Sequence, residues 1–407
     1  MADFYDPMSD WEEINAEDVK EYMDENGVSG LAEFFKGRME RWKKVEVNIG
    51  ITGDSGAGKS SFINAIRELD DDANGAAPVD VTECTIEPTS FNHPKYPNIK
   101  FWDLPGIGTP NYPDVETYRD KVQLDKYHTF LIFASSRFTE NDIILAKEIK
   151  KQGKSFFFIR TKIDDNVRAE KRKKSFSEAA MLEKIRRNCI KNLVDEDGKP
   201  ICIEDHIFLI SNHHPGKWDF GRLTQAILDA LPRYQRETLT LSLNALTSLS
   251  KDILKRKVEF LEGRMMYVAG ASALAAAIPV LGLSFAVDSA LLLKEIREYI
   301  TQLGIPEKGS NRFGRLSSTT QQEILDLYLK FATVSGIASL FAIEAAAEGV
   351  AEEFARFIPF VGSFIASGLS FGGTYILLRH SLKRIEAVAL AVLEEAAQQS
   401  VDDLDLE

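Results

Sequence analysis

Cysteine is scarce in this chain. Three occur among 407 residues, Cys84, Cys189 and Cys202, and none stands at a spacing that would clamp a metal or form a redox pair. That number suits a reducing compartment. Positive charge is also short. Lys and Arg total 49 against 62 Asp and Glu, a net charge of −13, which argues against a protein that coats nucleic acid. The start, Met1-Ala2-Asp3-Phe4, is acidic and lacks a signal peptide, and Ala2 stands where myristoylation needs glycine. A cytoplasmic protein without that lipid is expected. The rest of the composition, 44% hydrophobic and 27% charged, is that of an ordinary soluble protein long enough for two or three structural units.

What the chain does have is Gly53-Asp54-Ser55-Gly56-Ala57-Gly58-Lys59-Ser60-Ser61, a full G-x-x-x-x-G-K-[ST] motif. The apolar alternation from Val45 to Thr52 before it predicts a strand, and Phe62-Ile63-Asn64-Ala65-Ile66 after it begins a helix. Glycines let such a loop wrap phosphate oxygens with its N–H groups turned inward, and the helix N-terminus adds more donors. Lys59 would reach the β and γ phosphates, and the Ser60 hydroxyl would sit on Mg²⁺.

Further strands are predicted at Ile99–Trp102, Thr129–Ala134, Phe156–Ile159 and Ile207–Ile210, separated by helical patterns. Thr139-Glu140-Asn141-Asp142 offers a capping box for one of those helices, and Gly153 a stop. The stretch from Asp70 to Thr89, with Asn74-Gly75, Pro78 and Pro88, reads as a mobile loop. The basic run from Arg168 to Lys174 reads as a solvated face. The alternation predicts an α/β domain, a P-loop fold on a doubly wound, mostly parallel sheet over residues 45–232. After Pro232 strand signals vanish, so residues 233–407 form an all-α domain. Residues 1–44, helical from about 10 with Met39 and Trp42 on one apolar face, are expected to pack with it. Within the all-α part, helical spacing runs from Leu239 to Ile253, a loop spans Gly304 to Gly314, and Thr320-Gln321-Gln322-Glu323 offers a second capping box.

Two further elements fall at strand ends, where such sheets bind ligands. Asp103-Leu104-Pro105-Gly106 fits D-x-x-G: the aspartate can hold Mg²⁺ through water and the Gly106 amide can sense the γ-phosphate. Thr161-Lys162-Ile163-Asp164 supplies a base reader. The Asp164 carboxylate can accept from N1–H and N2–H₂ of guanine, while Lys162 lays its stem over the base. Ser211-Asn212 would add main-chain contacts to guanine O6. GTP or GDP with Mg²⁺ is therefore the expected ligand. In Ras-like GTPases a glutamine after D-x-x-G orients the attacking water. Here Ile107 and then Gly108 follow, so turnover by one chain should be slow. Candidates for the missing group are Thr85, as a Mg²⁺ and γ-phosphate ligand, and Glu83, as a polar catalytic group.

These motifs resemble the immunity-related GTPases, an interferon-inducible, dynamin-like family of about this length. The resemblance rests on Gly53 to Asn64, on His93-Pro94 with Pro97-Asn98, on Phe101 to Gly108, and on Phe158 to Asp164, including Thr161. Lys59 matches the subgroup that keeps lysine between Gly58 and Ser60. The resemblance implies pairing of GTP-bound chains through their nucleotide faces and faster hydrolysis in the pair. It implies that Glu83 acts across that interface. It also implies partnership with related GTPases, larger homo-oligomers, and peripheral residence on intracellular membranes in cell-autonomous immunity.

Residues 265–287 and 357–378 carry no charge, and each holds a similar device, Ile278-Pro279-Val280-Leu281-Gly282 and Ile358-Pro359-Phe360-Val361-Gly362. Proline breaks each run, which favours buried helices over spans. The other reading is a membrane-inserting surface, with Arg379, Lys383 and Arg384 beside the second run. Three alternatives remain open at this point: a non-hydrolysing GTP-dependent scaffold, a small-molecule kinase or ATPase of the same fold, and an integral membrane GTPase.

Overall fold

The computed structural model describes residues 37, 40–79, 87–195, 197–243, 247, 250–276, 283–333, 335–336 and 368–405. The chain divides into two compact units, Trp42–Leu243 and a second made of Met1–Arg41 with Asn244–Glu407.

The first unit is built on six strands, β1 (Val47–Gly53), β2 (Thr89–Asn92), β3 (Ile99–Asp103), β4 (Thr129–Ala134), β5 (Ser155–Arg160) and β6 (Ile207–Leu209). Their order is β2-β3-β1-β4-β5-β6, with every pairing parallel except β2 with β3. The doubly wound, mostly parallel sheet is as expected. β1 and β4 are buried along their whole length; β4 reads as a continuous apolar run for that reason, while β1 keeps its alternation by burying Asn48, Gly50 and Thr52 between its apolar residues. β2 escaped the sequence reading because Thr89-Ser90-Phe91-Asn92 is short, polar and on the sheet edge. Helices α1 (Lys59–Ile66), α2 (Val115–Val122), α3 (Glu140–Lys151), α4 (Ile163–Glu170), α5 (Glu178–Asn192), α6 (Phe220–Ala230) and α7 (Arg233–Ser242) complete the unit. The Thr139/Asp142 capping box forms at the start of α3, and Gly153 follows its end with φ +68°.

Several edges differ from expectation. The loop from Asp70 is tied down over its first part. Fully buried Asn64 donates to the Ala77 carbonyl (3.0 Å) and accepts from the Ala77 amide (2.6 Å), while Arg67 donates to the Gly75 carbonyl (2.8 Å). The compact unit also runs past residue 232. α7 packs on β1, Thr238 donates to the Trp42 carbonyl (3.0 Å), and Leu239, Leu241 and Leu243 are buried. Trp42 is itself buried in this unit, with its ring 5.0 Å from that of Tyr96. The helix expected to continue from Leu239 to Ile253 stops at Ser242.

In the second unit α8 (Lys251–Ala276), α9 (Leu283–Gln302) and α10 (Ser318–Phe331) pack against the long α11 (Gly368–Asp405). The core includes Leu261, Ile296, Leu327, Leu377 and Ile385. Between α8 and α9, Arg264 makes a bidentate pair with Glu295 (2.9 Å to each oxygen), and fully buried Lys257 donates to the Gln302 carbonyl (3.0 Å). The cap of α10 is not at Thr320. Ser317 is the N-cap, and Thr320 is the third helical residue, whose amide Ser317 accepts. Glu395 of α11 completes the arrangement by accepting from the Ser317 and Thr320 hydroxyls. Among the described residues no helix is long and apolar enough to cross a membrane. The paired Pro–Gly devices at 278–282 and 358–362 lie outside the described residues, as do residues 10–36.

Candidate functional site

The phosphate loop joins the end of β1 to α1. Gly53 adopts φ +130° where a Cβ would lie 2.1 Å from the Phe133 carbonyl oxygen of β4, so only glycine fits. Gly56 and Gly58 also have positive φ, +74° and +86°. Lys59 is buried, and its ammonium reaches back over the loop to the carbonyls of Gly53 (2.8 Å) and Asp54 (3.1 Å). This fixes a cation against the loop while Asp54, Ser55 and Gly56 stay exposed; Ser60 and Ser61 are half-buried in the first turn of α1.

The base-reading residues come to the same place from the ends of β5 and β6. Fully buried Thr161 donates its hydroxyl to the Ala57 carbonyl (2.7 Å). Asn212 donates its amide to the Gly58 carbonyl (2.8 Å). Arg160, whose guanidinium pKa burial lowers, donates to Asn166 Oδ1 (3.1 Å) and to the Thr161 carbonyl, so it stiffens the turn into α4. Lys162 sits at φ +58° at the N-cap of α4, and Asp164 lies half-buried in that helix's first turn. The Ser211 hydroxyl and Asn212 Oδ1 are buried without a hydrogen-bond partner among the described residues. Orphaned polar atoms beside a glycine cradle fit a site made for a polar ligand.

The side facing hydrolysis is held differently. Asp103 is buried at the end of β3, and the Leu104 amide donates to the Ile51 carbonyl (2.8 Å). Thr52 donates to the Pro105 carbonyl (3.2 Å), and the buried Tyr118 hydroxyl in turn donates to Thr52 (3.2 Å). Gly106 lies close to the Gly53 carbonyl. Ile107 turns its side chain onto the hydrophobic core, while Asn141 in the first turn of α3 donates to its carbonyl (3.4 Å). Gly108 has φ +87°, and a Cβ there would lie 2.1 Å from Asn141 Nδ2. Beside Asn141, burial raises the pKa of the Asp142 carboxyl, and the Asp54 charge adds to that while Lys59 opposes it.

The model of the interferon-inducible GTPase (IIGP) family matches residues 12–355. The chain belongs to that family. It is 33% identical over 371 residues to interferon-inducible GTPase 5 of Rattus norvegicus, covering 88% of this chain and 78% of that one. It is 30% identical over 392 residues to interferon-gamma-inducible GTPase 10 of Mus musculus, covering 94% and 90%. With interferon-inducible GTPase 1 of Mus musculus it shares 37% over 273 residues, 66% of this chain and 64% of that one. Among solved structures, Era in complex with MgGDPNP aligns at a TM-score of 0.31 with 19% identity over 46% of this chain and 58% of that one. That likeness is too slight to argue from.

As an interferon-inducible GTPase the chain binds guanine nucleotide and hydrolyses GTP. The structure brings together the phosphate loop, Asp103, Gly106, Thr161, Lys162, Asp164, Ser211 and Asn212 at the carboxyl ends of β1, β3, β5 and β6. Glu83 and Thr85 lie outside the described residues. Sequence reasoning missed that the side chains of Thr161 and Asn212 both hold the phosphate loop. The departure from asparagine at position 161 was the available signal, since threonine keeps a hydroxyl donor. Among the described residues no group of three His, Cys, Asp or Glu forms a metal cage. Mg²⁺ in nucleotide sites takes few protein oxygens and uses phosphates and water for the rest, so the donor set of Ser60 and Asp103 fits it.

Proposed function

We propose that this GTPase turns over slowly as a single chain, assembles through its nucleotide face in the GTP state, and resides peripherally on intracellular membranes. One observation carries the proposal: at the position that would orient water, Ile107 is apolar and lies half-buried against the core, and Gly108 has no side chain. The group that orients water must then come from elsewhere. A second chain meeting the first at its nucleotide face would complete the site, with Glu83 as the group it contributes. Ser60, Asp103 and Thr85 would hold Mg²⁺, which neutralises phosphate charge when bound. Partners of this kind include further copies of the chain and related GTPases.

Membrane residence is supported by the uncharged stretches 265–287 and 357–378 and by Lys383 and Arg384, both exposed on α11 just past the second. Among the described residues no helix is long and apolar enough to cross a membrane, and the attachment we propose is peripheral. Light scattering of the purified chain tests assembly. A mass near one chain with GDP and a multiple of it with a non-hydrolysable GTP analogue are expected. Equal masses in both states would refute nucleotide-driven assembly. Flotation with phosphatidylserine vesicles tests the membrane part, and protein that resists carbonate extraction would refute peripheral attachment.

A further inference from the structure

The phosphate loop presents two consecutive carbonyls, Ala57 and Gly58, and each is taken by a side chain from a different base-side loop. Thr161, just past β5, takes the first at 2.7 Å, and Asn212, just past β6, takes the second at 2.8 Å. Contact there is close: a Cβ on Gly58 would lie 3.1 Å from Asn212 Nδ2. A carbonyl accepts and never donates, so it is the amide nitrogen of Asn212 that faces Gly58. A trans peptide is planar, with its C=O and N–H pointing in opposite directions. Fixing the Gly58 carbonyl toward Asn212 therefore turns the Lys59 N–H the other way. Fixing the Ala57 carbonyl does the same for the Gly58 N–H. Those two N–H groups belong to the set that cradles phosphate in such loops. The same Gly58 carbonyl also accepts from the Phe62 amide of α1 (3.0 Å), so the helix and the base-side loop hold this peptide plane together, at a residue whose φ of +86° and missing Cβ leave it otherwise free to turn.

We infer that the Asn212 side chain is a positioning residue, a strut that holds the Gly58–Lys59 peptide plane with its N–H toward the phosphates and ties the base-reading loop to the phosphate loop. Its substrate class is any guanine nucleotide that carries phosphate; the nucleoside itself would not feel the strut. The inference rests on guanine-nucleotide binding and is independent of assembly or membranes. It assigns to the side chain a task distinct from the main-chain base contact expected of Ser211-Asn212.

Asn212→Ala removes the strut, and Asn212→Asp keeps its size while removing the donor. If either fails to fold, by its circular dichroism and melting curve, the other reads the effect. GDP affinity is measured with a fluorescent analogue, guanosine affinity by competition, and base preference as GDP against IDP and ADP. Loss of one charge-adjacent hydrogen bond should weaken GDP about tenfold. Guanosine affinity and base preference should stay within about twofold. Equal weakening of guanosine and GDP, or a changed base preference, would show that the side chain acts on the base and would overturn the inference. Unchanged GDP affinity in a folded variant would overturn it as well. A wild-type chain that binds neither ligand would count against guanine-nucleotide binding itself, not against the strut.

Discussion

The two sides of the nucleotide site are held by different means. On the binding side, side-chain hydrogen bonds from three elements converge on loop carbonyls: Lys59 on Gly53 and Asp54, Thr161 on Ala57, Asn212 on Gly58. On the hydrolysis side, Asn141 and Thr52 hold carbonyls of Ile107 and Pro105, and the one side chain at the water-orienting position is apolar and half-buried against the core. The first side is complete within one chain. The second fixes a backbone but presents no general base or water-orienting group among the described residues. Affinity and turnover should therefore answer to different residues.

Lys59→Ala strikes the binding side hardest. It removes the loop's buried cation and should lower GTP turnover by about 10²–10³-fold, as loss of a preorganised charge donor does. Turnover within a factor of two of wild type would break the distinction at its strongest point. Asn64→Ala comes next and concerns the approach to the loop that holds Thr85. It leaves the buried amide and carbonyl of Ala77 unpaired, which costs about 2–3 kcal/mol. In a unit of this size the melting temperature should drop by about 5–10 °C. A smaller shift would mean that water replaces the lost bonds.

Gly108→Ala separates the two sides. At φ +87° an alanine is strained, and its methyl group would displace the Asn141 amide that donates to the Ile107 carbonyl, so the segment after Gly106 loses its tether and shifts. Turnover should fall about tenfold or more, while GDP affinity changes by less than about twofold. A parallel loss of GDP affinity would show the sides to be mechanically one. The smallest effect belongs to His128, remote from both sides at the entry to β4. Burial lowers its pKa below the ordinary 6.5, so the unfolded chain takes the proton first. Stability should be full above pH 6.5 and decline as pH falls through that value, and His128→Gln should flatten this slope by less than about 1 kcal/mol. GDP affinity should not follow the same curve.

The legible parts of the site were those whose chemistry requires one residue type. Only glycine fits at Gly53, only a cation serves at Lys59, and only a carboxylate at Asp164 pairs with both guanine donors, so these stood out in the sequence. β4 and β5 were legible for a related reason, because burial on both faces favours continuous apolar runs, and β1 through its alternation ahead of the glycine loop. What was not legible depended on partners far away in the chain. Asn64 stood in the sequence only as part of the helix after the glycine loop, and nothing local announced its bonds to Ala77. The true cap of α10 was missed because Ser317 is confirmed by Glu395, 78 residues later. β2 lacks an apolar face to announce it. The brace from Asn212 to Gly58 spans 154 residues and leaves no local pattern at either end.

The most direct test is GTP turnover per chain across about a hundredfold range of protein concentration, with Lys59→Ala as the blank. A site that binds alone but hydrolyses with help predicts a specific rate that climbs with concentration while GDP affinity stays constant. A measurable rate that is flat across the range would mean that one chain carries everything hydrolysis needs, and the division between the two sides would be wrong.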